Sequence, residues 1–125
     1  MSTNRTGHLS ANVITAEGTL EFRVTRGLYC YERPGLHCIE ANNGQGTEFY
    51  VYLPTKIESG SFSLGLSERS PMVIHVTGTS EAELYRGSLE LTVGGDAQFS
   101  GRFSGLDADG LEVENGSFRL EYEAR

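Results

Sequence analysis

Lysine is almost missing from this sequence. Lys56 is the single one, and with the arginines it makes 10 basic residues against 17 acidic ones, a formal net charge of -7 and a pI near 4.9. A phosphate backbone is held mainly by clustered Lys and Arg, so these scattered arginines argue against nucleic-acid binding. The acidic balance suits solubility, or a surface complementary to a basic protein. No run approaches the ~20 apolar residues of a membrane span, and Met1-Ser2-Thr3-Asn4-Arg5-Thr6-Gly7 is polar where a signal peptide would be apolar. The chain as given is therefore expected in the cytoplasm, with no membrane segment. Nor does any stretch of ten residues keep the 3.6-residue period of an amphipathic helix.

Proline is scarce at 3 residues while glycine is abundant at 16, and Thr, Val, Tyr and Phe are frequent. That mixture favours many short strands joined by tight turns. A chain of 125 residues and 13.6 kDa fits one domain with its own core, read as residues 1–125 with 1–7 as a flexible start.

Apolar and polar residues alternate along most of the chain, as strands with one buried face require. Leu9, Ala11 and Val13 are followed by a turn at Ala16-Glu17-Gly18 and then Leu20, Phe22 and Val24. Pro34-Gly35 suits the centre of a type II turn between Leu28–Tyr31 and Leu36–Glu40. Asn42-Asn43-Gly44 offers another turn before Phe49-Tyr50-Val51-Tyr52-Leu53, the most β-prone run in the sequence. Ile57, Phe62, Leu64 and Leu66 predict the next strand, Glu68-Arg69-Ser70-Pro71 a loop, and Met72–Thr77 a further strand. Ser80 and Glu83 have the spacing of a capping box, and Gly78–Glu83 reads as a loop or a single helical turn.

The five-residue pattern Gly-Ser-apolar-polar-apolar occurs at Gly60, Gly87 and Gly116, and each copy reads as the opening of a strand. In the C-terminal third, Gly94-Gly95-Asp96 as a three-residue loop would place Leu91 opposite Phe99. Gly101, between Phe99 and Phe103, predicts a bend or a close approach of another strand. Asn115-Gly116 shifts the apolar parity from Leu111 and Val113 to Phe118, Leu120 and Tyr122, either as a hairpin turn or as a bulge; the shortness of Leu111–Glu114 favours the bulge. The expected fold is all-β, an antiparallel sandwich or small barrel of about 8–10 strands.

From Phe49 to Tyr122 the order of features resembles that of small all-β bacterial lipoproteins of unknown function. The matching stretches are Phe49–Leu53, Ser59–Leu64, Arg86–Leu91, Phe99–Ser104 and Glu114–Phe118. The resemblance implies the fold and no activity. Unlike those families, the sequence given carries no lipobox cysteine.

Candidate sites follow from residue chemistry. Cys30 and Cys38 bracket a turn, so a hairpin can either bring them within disulfide reach or leave two thiols, and His37 invites a zinc reading that lacks a full set of ligands. Asp107-x-Asp109-Gly110 reads as an Asp-Gly turn and not as a calcium loop, because a strand must follow at Leu111. With no nucleophile elbow, phosphate loop or paired carboxylate in view, no catalytic residue, metal or cofactor is nominated.

Tyr50 and Tyr52 share the face opposite Phe49, Val51 and Leu53 and make the best candidate binding surface. His75, on the row opposite Met72, Ile74 and Val76, is expected to face solvent or to make one structural hydrogen bond, with a binding role as the sharper option. Glu112, Glu114, Glu121 and Glu123 are a candidate acidic patch. These features point to a non-catalytic module that binds a protein partner. The alternatives are an acidic inhibitor of a basic partner, or a carrier with a ligand in a barrel cavity.

Overall fold

The computed structural model describes residues 3–65 and 71–123. It is all-β, and among the described residues there is no helix, so none long and apolar enough to cross a membrane. The strands are β1 (Thr3–Arg5), β2 (Gly7–Thr15), β3 (Gly18–Val24), β4 (Leu28–Arg33), β5 (Leu36–Asn42), β6 (Thr47–Pro54), β7 (Gly60–Leu64), β8 (Met72–Thr77), β9 (Ser80–Val93), β10 (Phe99–Asp107) and β11 (Glu112–Leu120). Eleven strands exceed the expected 8–10, and the additional one is β1. Residues Thr3–Arg5 pair with Leu28–Cys30, a backbone interaction that leaves no alternation to read in the sequence. Leu66 and the loop Glu68–Ser70 lie outside the described residues.

All neighbours are antiparallel, in the order β1-β4-β5-β6-β8-β9-β10-β11-β2-β3, with β7 added to β9. The sheet curls strongly into a half-barrel, so that two limbs face each other across the core. One limb holds β1, β4, β5, β6 and β8; the other holds β7, β10, β11, β2 and β3. Strand β9 belongs to both. Its first residues, Ser80–Glu83, pair with β8, and Gly87–Leu91 pair along the same edge with β7, while β10 follows the other edge from Leu84 to Val93. Gly78–Glu83 is accordingly no helical turn. Thr77 pairs with Ser80 across a two-residue hairpin, and burial of Ala82 and Leu84 on the inner row holds the segment extended.

The Gly-Ser copies behave differently from one another. Only Gly60 opens a strand; Gly87 and Gly116 lie inside β9 and β11. Gly87 pairs with Gly105 on one side and Leu64 on the other, where three backbones converge at the change of partner. A Cβ on Gly87 would collide with the Ser104 carbonyl, and one on Gly105 would lie 2.7 Å from the Arg86 carbonyl. At Gly116 a Cβ would run into the Phe103 ring. The residue before it, Asn115, has φ +54°, and the β11 register shifts between Glu114 and Ser117, so the parity change is the bulge.

The two limbs meet through aromatic rings. Phe49, Val51 and Leu53 are fully buried as the alternation requires, and Phe49 packs edge-on to Phe22 at 4.9 Å and against Phe103 at 6.0 Å. Phe118 lies over Gly101, the close approach expected there. Phe99 stands opposite Val93, with Leu91 opposite Gly101, because the connecting loop is two residues longer than expected. An even offset keeps both apolar rows inside.

Closure comes from the N-terminus. Strands β1 and β2 are one chain path bent at Thr6, with β1 in one limb and β2 in the other. Arg5 clamps the bend, donating to the Gln98 Oε1 at 2.5 Å and to the Glu121 carbonyl at 2.7 Å, while the Glu121 N–H donates to the Thr6 carbonyl at 3.0 Å.

The three Gly-Ser copies, alike in pattern, should therefore respond unequally to substitution. Gly87→Ala and Gly116→Ala should each cost about 1–3 kcal/mol in urea unfolding by overpacking. Gly60→Ala, whose new methyl would meet Phe62 at 3.8 Å, should stay within about 0.5 kcal/mol of the parent protein.

Candidate functional site

Inward alternation on β6 forces Tyr50 and Tyr52 outward, and register then decides what joins them. Tyr29, Glu40, Tyr50, Ile74 and Glu83 form one row across β4, β5, β6, β8 and β9. Tyr31, Cys38, Tyr52 and Met72 form the next. Four of the six tyrosines thus stand on one sheet face. The rings of Tyr50 and Tyr52 stack at 6.1 Å, and those of Tyr29 and Tyr31 lie 6.0 Å apart. The Arg33 guanidinium sits over both Tyr31, at 5.4 Å from the centroid, and Tyr52, at 5.9 Å.

This face is polarised along the strands. Arg33 occupies one end, Glu40 and Glu83 share the row of Tyr29 and Tyr50, and Glu48 and Glu81 lie one row beyond. Tyr31 donates to Glu40 Oε2 at 2.7 Å, and Tyr50 reaches Glu48 at 3.4 Å. Burial, followed by the carboxylates of Glu48, Glu40 and Glu81, pushes the Tyr50 phenol up to about 12. Burial and the Glu40 hydrogen bond raise Tyr31 further still. Cys38 is sealed in the same face, and burial raises its thiol above the ordinary value.

Cys30 faces the other way. It opposes Ile39 while Cys38 opposes Tyr31, so neighbouring positions send the two thiols to opposite faces. Both are free, which corrects the disulfide option and also separates Cys38 from any ligand set with Cys30 and His37. Cys30 instead lines a cleft of about 260 Å³ between the two limbs, with Arg5, Glu32, His37, Gln98 and Phe99, and Cys38 borders the same cleft. His37 lies 3.5 Å from Glu32 and packs on Phe99 at 5.2 Å. Burial, partly offset by Arg5, pushes the Cys30 thiol up to about 11, so it is a poor nucleophile near neutral pH.

His75 does not face solvent. The row opposite Ile74 and Val76 is the inner one, and His75 is 2% exposed there, stacked on Phe49 at 5.0 Å. Its Nδ1 bonds Asp107 Oδ2 at 3.0 Å, which satisfies the expectation of one structural hydrogen bond. The other oxygen of Asp107 accepts the N–H groups of Asp109 at 3.0 Å and Leu111 at 2.9 Å, folding Asp107–Gly110 into the expected turn. A carboxylate only accepts, so a neutral His75 carries its proton on Nδ1. Nε2 has neither partner nor exposed surface, which denies this pair the substrate access that a general base needs.

The four glutamates at the C-terminal end do not form one patch. Glu112 and Glu121 are nine positions apart along an extended path, roughly 30 Å at about 3.3 Å per residue. Glu114 stays with Glu112 and Glu123 with Glu121, and Glu121 is itself paired bidentately with Arg119. Sequence alternation exposed Tyr50 and Tyr52, whereas Tyr29, Tyr31 and Arg33 join them only through the register of β4 to β6. Tyr29-x-Tyr31-x-Arg33 is an alternation that could have signalled this.

Comparison of the chain with protein-family models, with curated proteins and with solved structures gives no match.

Two outcomes check the site. Asp107→Ala, which strands His75 Nδ1 and two backbone N–H groups, should lower stability by about 3 kcal/mol or more in urea titration. Asp107→Asn should cost less, because its amide oxygen keeps the backbone bonds and its NH₂ can meet the other His75 tautomer. In ultraviolet titration, the difference between the parent protein and Tyr50→Phe should show a phenol ionising at about 12. Its protonated form is the one favoured by the fold, so stability should fall as pH rises from 10 towards 12, and less steeply in Tyr50→Phe.

Proposed function

We propose that the chain is a non-catalytic binding module that contacts a protein partner through the outer face of β4, β5 and β6. The observation that carries this reading is the assembly of Tyr29, Tyr31, Tyr50 and Tyr52 on one face, with Tyr29 42% exposed. Tyrosines present large amphipathic area and lose little rotamer entropy on binding. The stacked pair and the overlying Arg33 hold the rings in place before a partner arrives, which reduces the ordering cost further.

Both alternatives have less support. An acidic inhibitor built on Glu112, Glu114, Glu121 and Glu123 loses its continuous patch to the length of β11 and the Arg119 pair. A carrier with its ligand inside the barrel would need space where Phe22, Phe49, Phe103 and Phe118 fill the core.

The test places a photo-crosslinking benzoylphenylalanine at Tyr50 and, as control, at Glu112 on the other limb, in cells producing the chain. A discrete adduct should form from position 50, fade when Tyr52→Ala is added and be missing from position 112. The same adducts from both positions, or none from position 50 in a folded variant, would sink the reading.

A further inference from the structure

We infer that the tyrosine face takes its partner through arginine: the site around Tyr50 is a seat for the guanidinium of a basic peptide segment. This rests on the proposed docking face and names what it recognises. The protein already shows the contact within its own chain, since Arg33 lies over the rings of Tyr31 and Tyr52 at 5.4 and 5.9 Å. One end of the face is thereby occupied by the chain's own cation. At the other end the same kind of ring, Tyr50, stands with Glu40 beside it on β5, Glu48 on its own strand and Glu81 and Glu83 on β9, beyond the outer row of β8.

Among the described residues none of these four carboxylates is in an ion pair. Two instead accept phenol hydroxyls, which orients them: Glu40 from Tyr31 at 2.7 Å and Glu48 from Tyr50 at 3.4 Å. Ile74, between Tyr50 and Glu83, is 8% exposed, so the floor of the seat is apolar and poorly hydrated. A flat cation above an aromatic ring, with carboxylates at its rim and little water below, gains from both ring and charge. Guanidinium suits that geometry better than ammonium because it is planar and less strongly hydrated. An anionic or apolar segment would leave the glutamates uncompensated. The net charge of -7 adds long-range attraction for the same kind of partner.

The probe is an acetylated, amidated (Gly-Arg)₄ peptide, compared with its citrulline counterpart, which keeps the shape and removes the charge. Backbone amide spectra of the labelled protein should shift around Tyr29, Glu40 and Tyr50 with the arginine peptide. The citrulline peptide should bind at least tenfold more weakly, and the arginine peptide should weaken between 50 and 300 mM salt. Tyr50→Leu and Glu48→Gln should each reduce affinity several-fold with spectra still those of a folded protein, whereas Glu112→Gln should leave it unchanged. Equal binding of both peptides, shifts centred on Glu112, or no binding would overturn the inference. If that happens while the cross-linker at Tyr50 still yields its adduct, the cation is wrong and the face stands; loss of adduct and peptide shifts together removes both.

Discussion

Strand β9 changes partners along one edge while keeping β10 on the other, and the close backbone approach of Gly87 to Gly105 makes this possible. Side chains at those two points would force the strands apart just where the sheet must turn from one limb into the other. With the turn in place, β8 and β7 lie end to end on one edge, and the inner rows of the two limbs face each other. The phenylalanine core and the outward direction of the tyrosines follow from that geometry. So does the burial of His75, because the corner brings β10 close enough for Asp107 to reach beneath β9 to β8.

Polar groups are arranged very differently inside and outside. Within the core, the one described carboxylate and imidazole are spent on each other and on the Asp107–Leu111 turn, a fixed network in a dry setting where an unmet bond is costly. Outside, Glu40, Glu48, Glu81 and Glu83 are left within reach of rings and solvent, where charge remains available for a second molecule. Carboxylates thus stabilise the interior at one place and, in the proposed function, would serve recognition on the surface at another.

Much of the fold was legible in the alternation. The inward row of β6, the Asn115-Gly116 bulge and the Pro34-Gly35 hairpin could be read because each is a local pattern of period two or a turn with its own residue chemistry. What escaped depends on pairing at a distance. Thr3–Arg5 has no pattern of its own and becomes a strand by finding β4, and Gly87 looks like Gly60 until its neighbours are known. His75 escaped because β8 is buried on both faces, so its apolar residues did not mark the inner side. Tyr50 and Tyr52 were found by parity, while Tyr29, Tyr31 and the glutamates around them required register.

The bend at Thr6 has a consequence for how the molecule is assembled. Arg5 makes its clamp with Glu121, 116 residues along the chain, and β2 takes its place beside β11. Strand β2 therefore has no lateral partner except β3 until β11 is synthesised. Contacts this distant in sequence carry a large closure cost before they return anything, so folding of this domain is slow compared with that of a helical protein of the same length. Until then the edge of β2 and the incomplete core are open to the wrong neighbours.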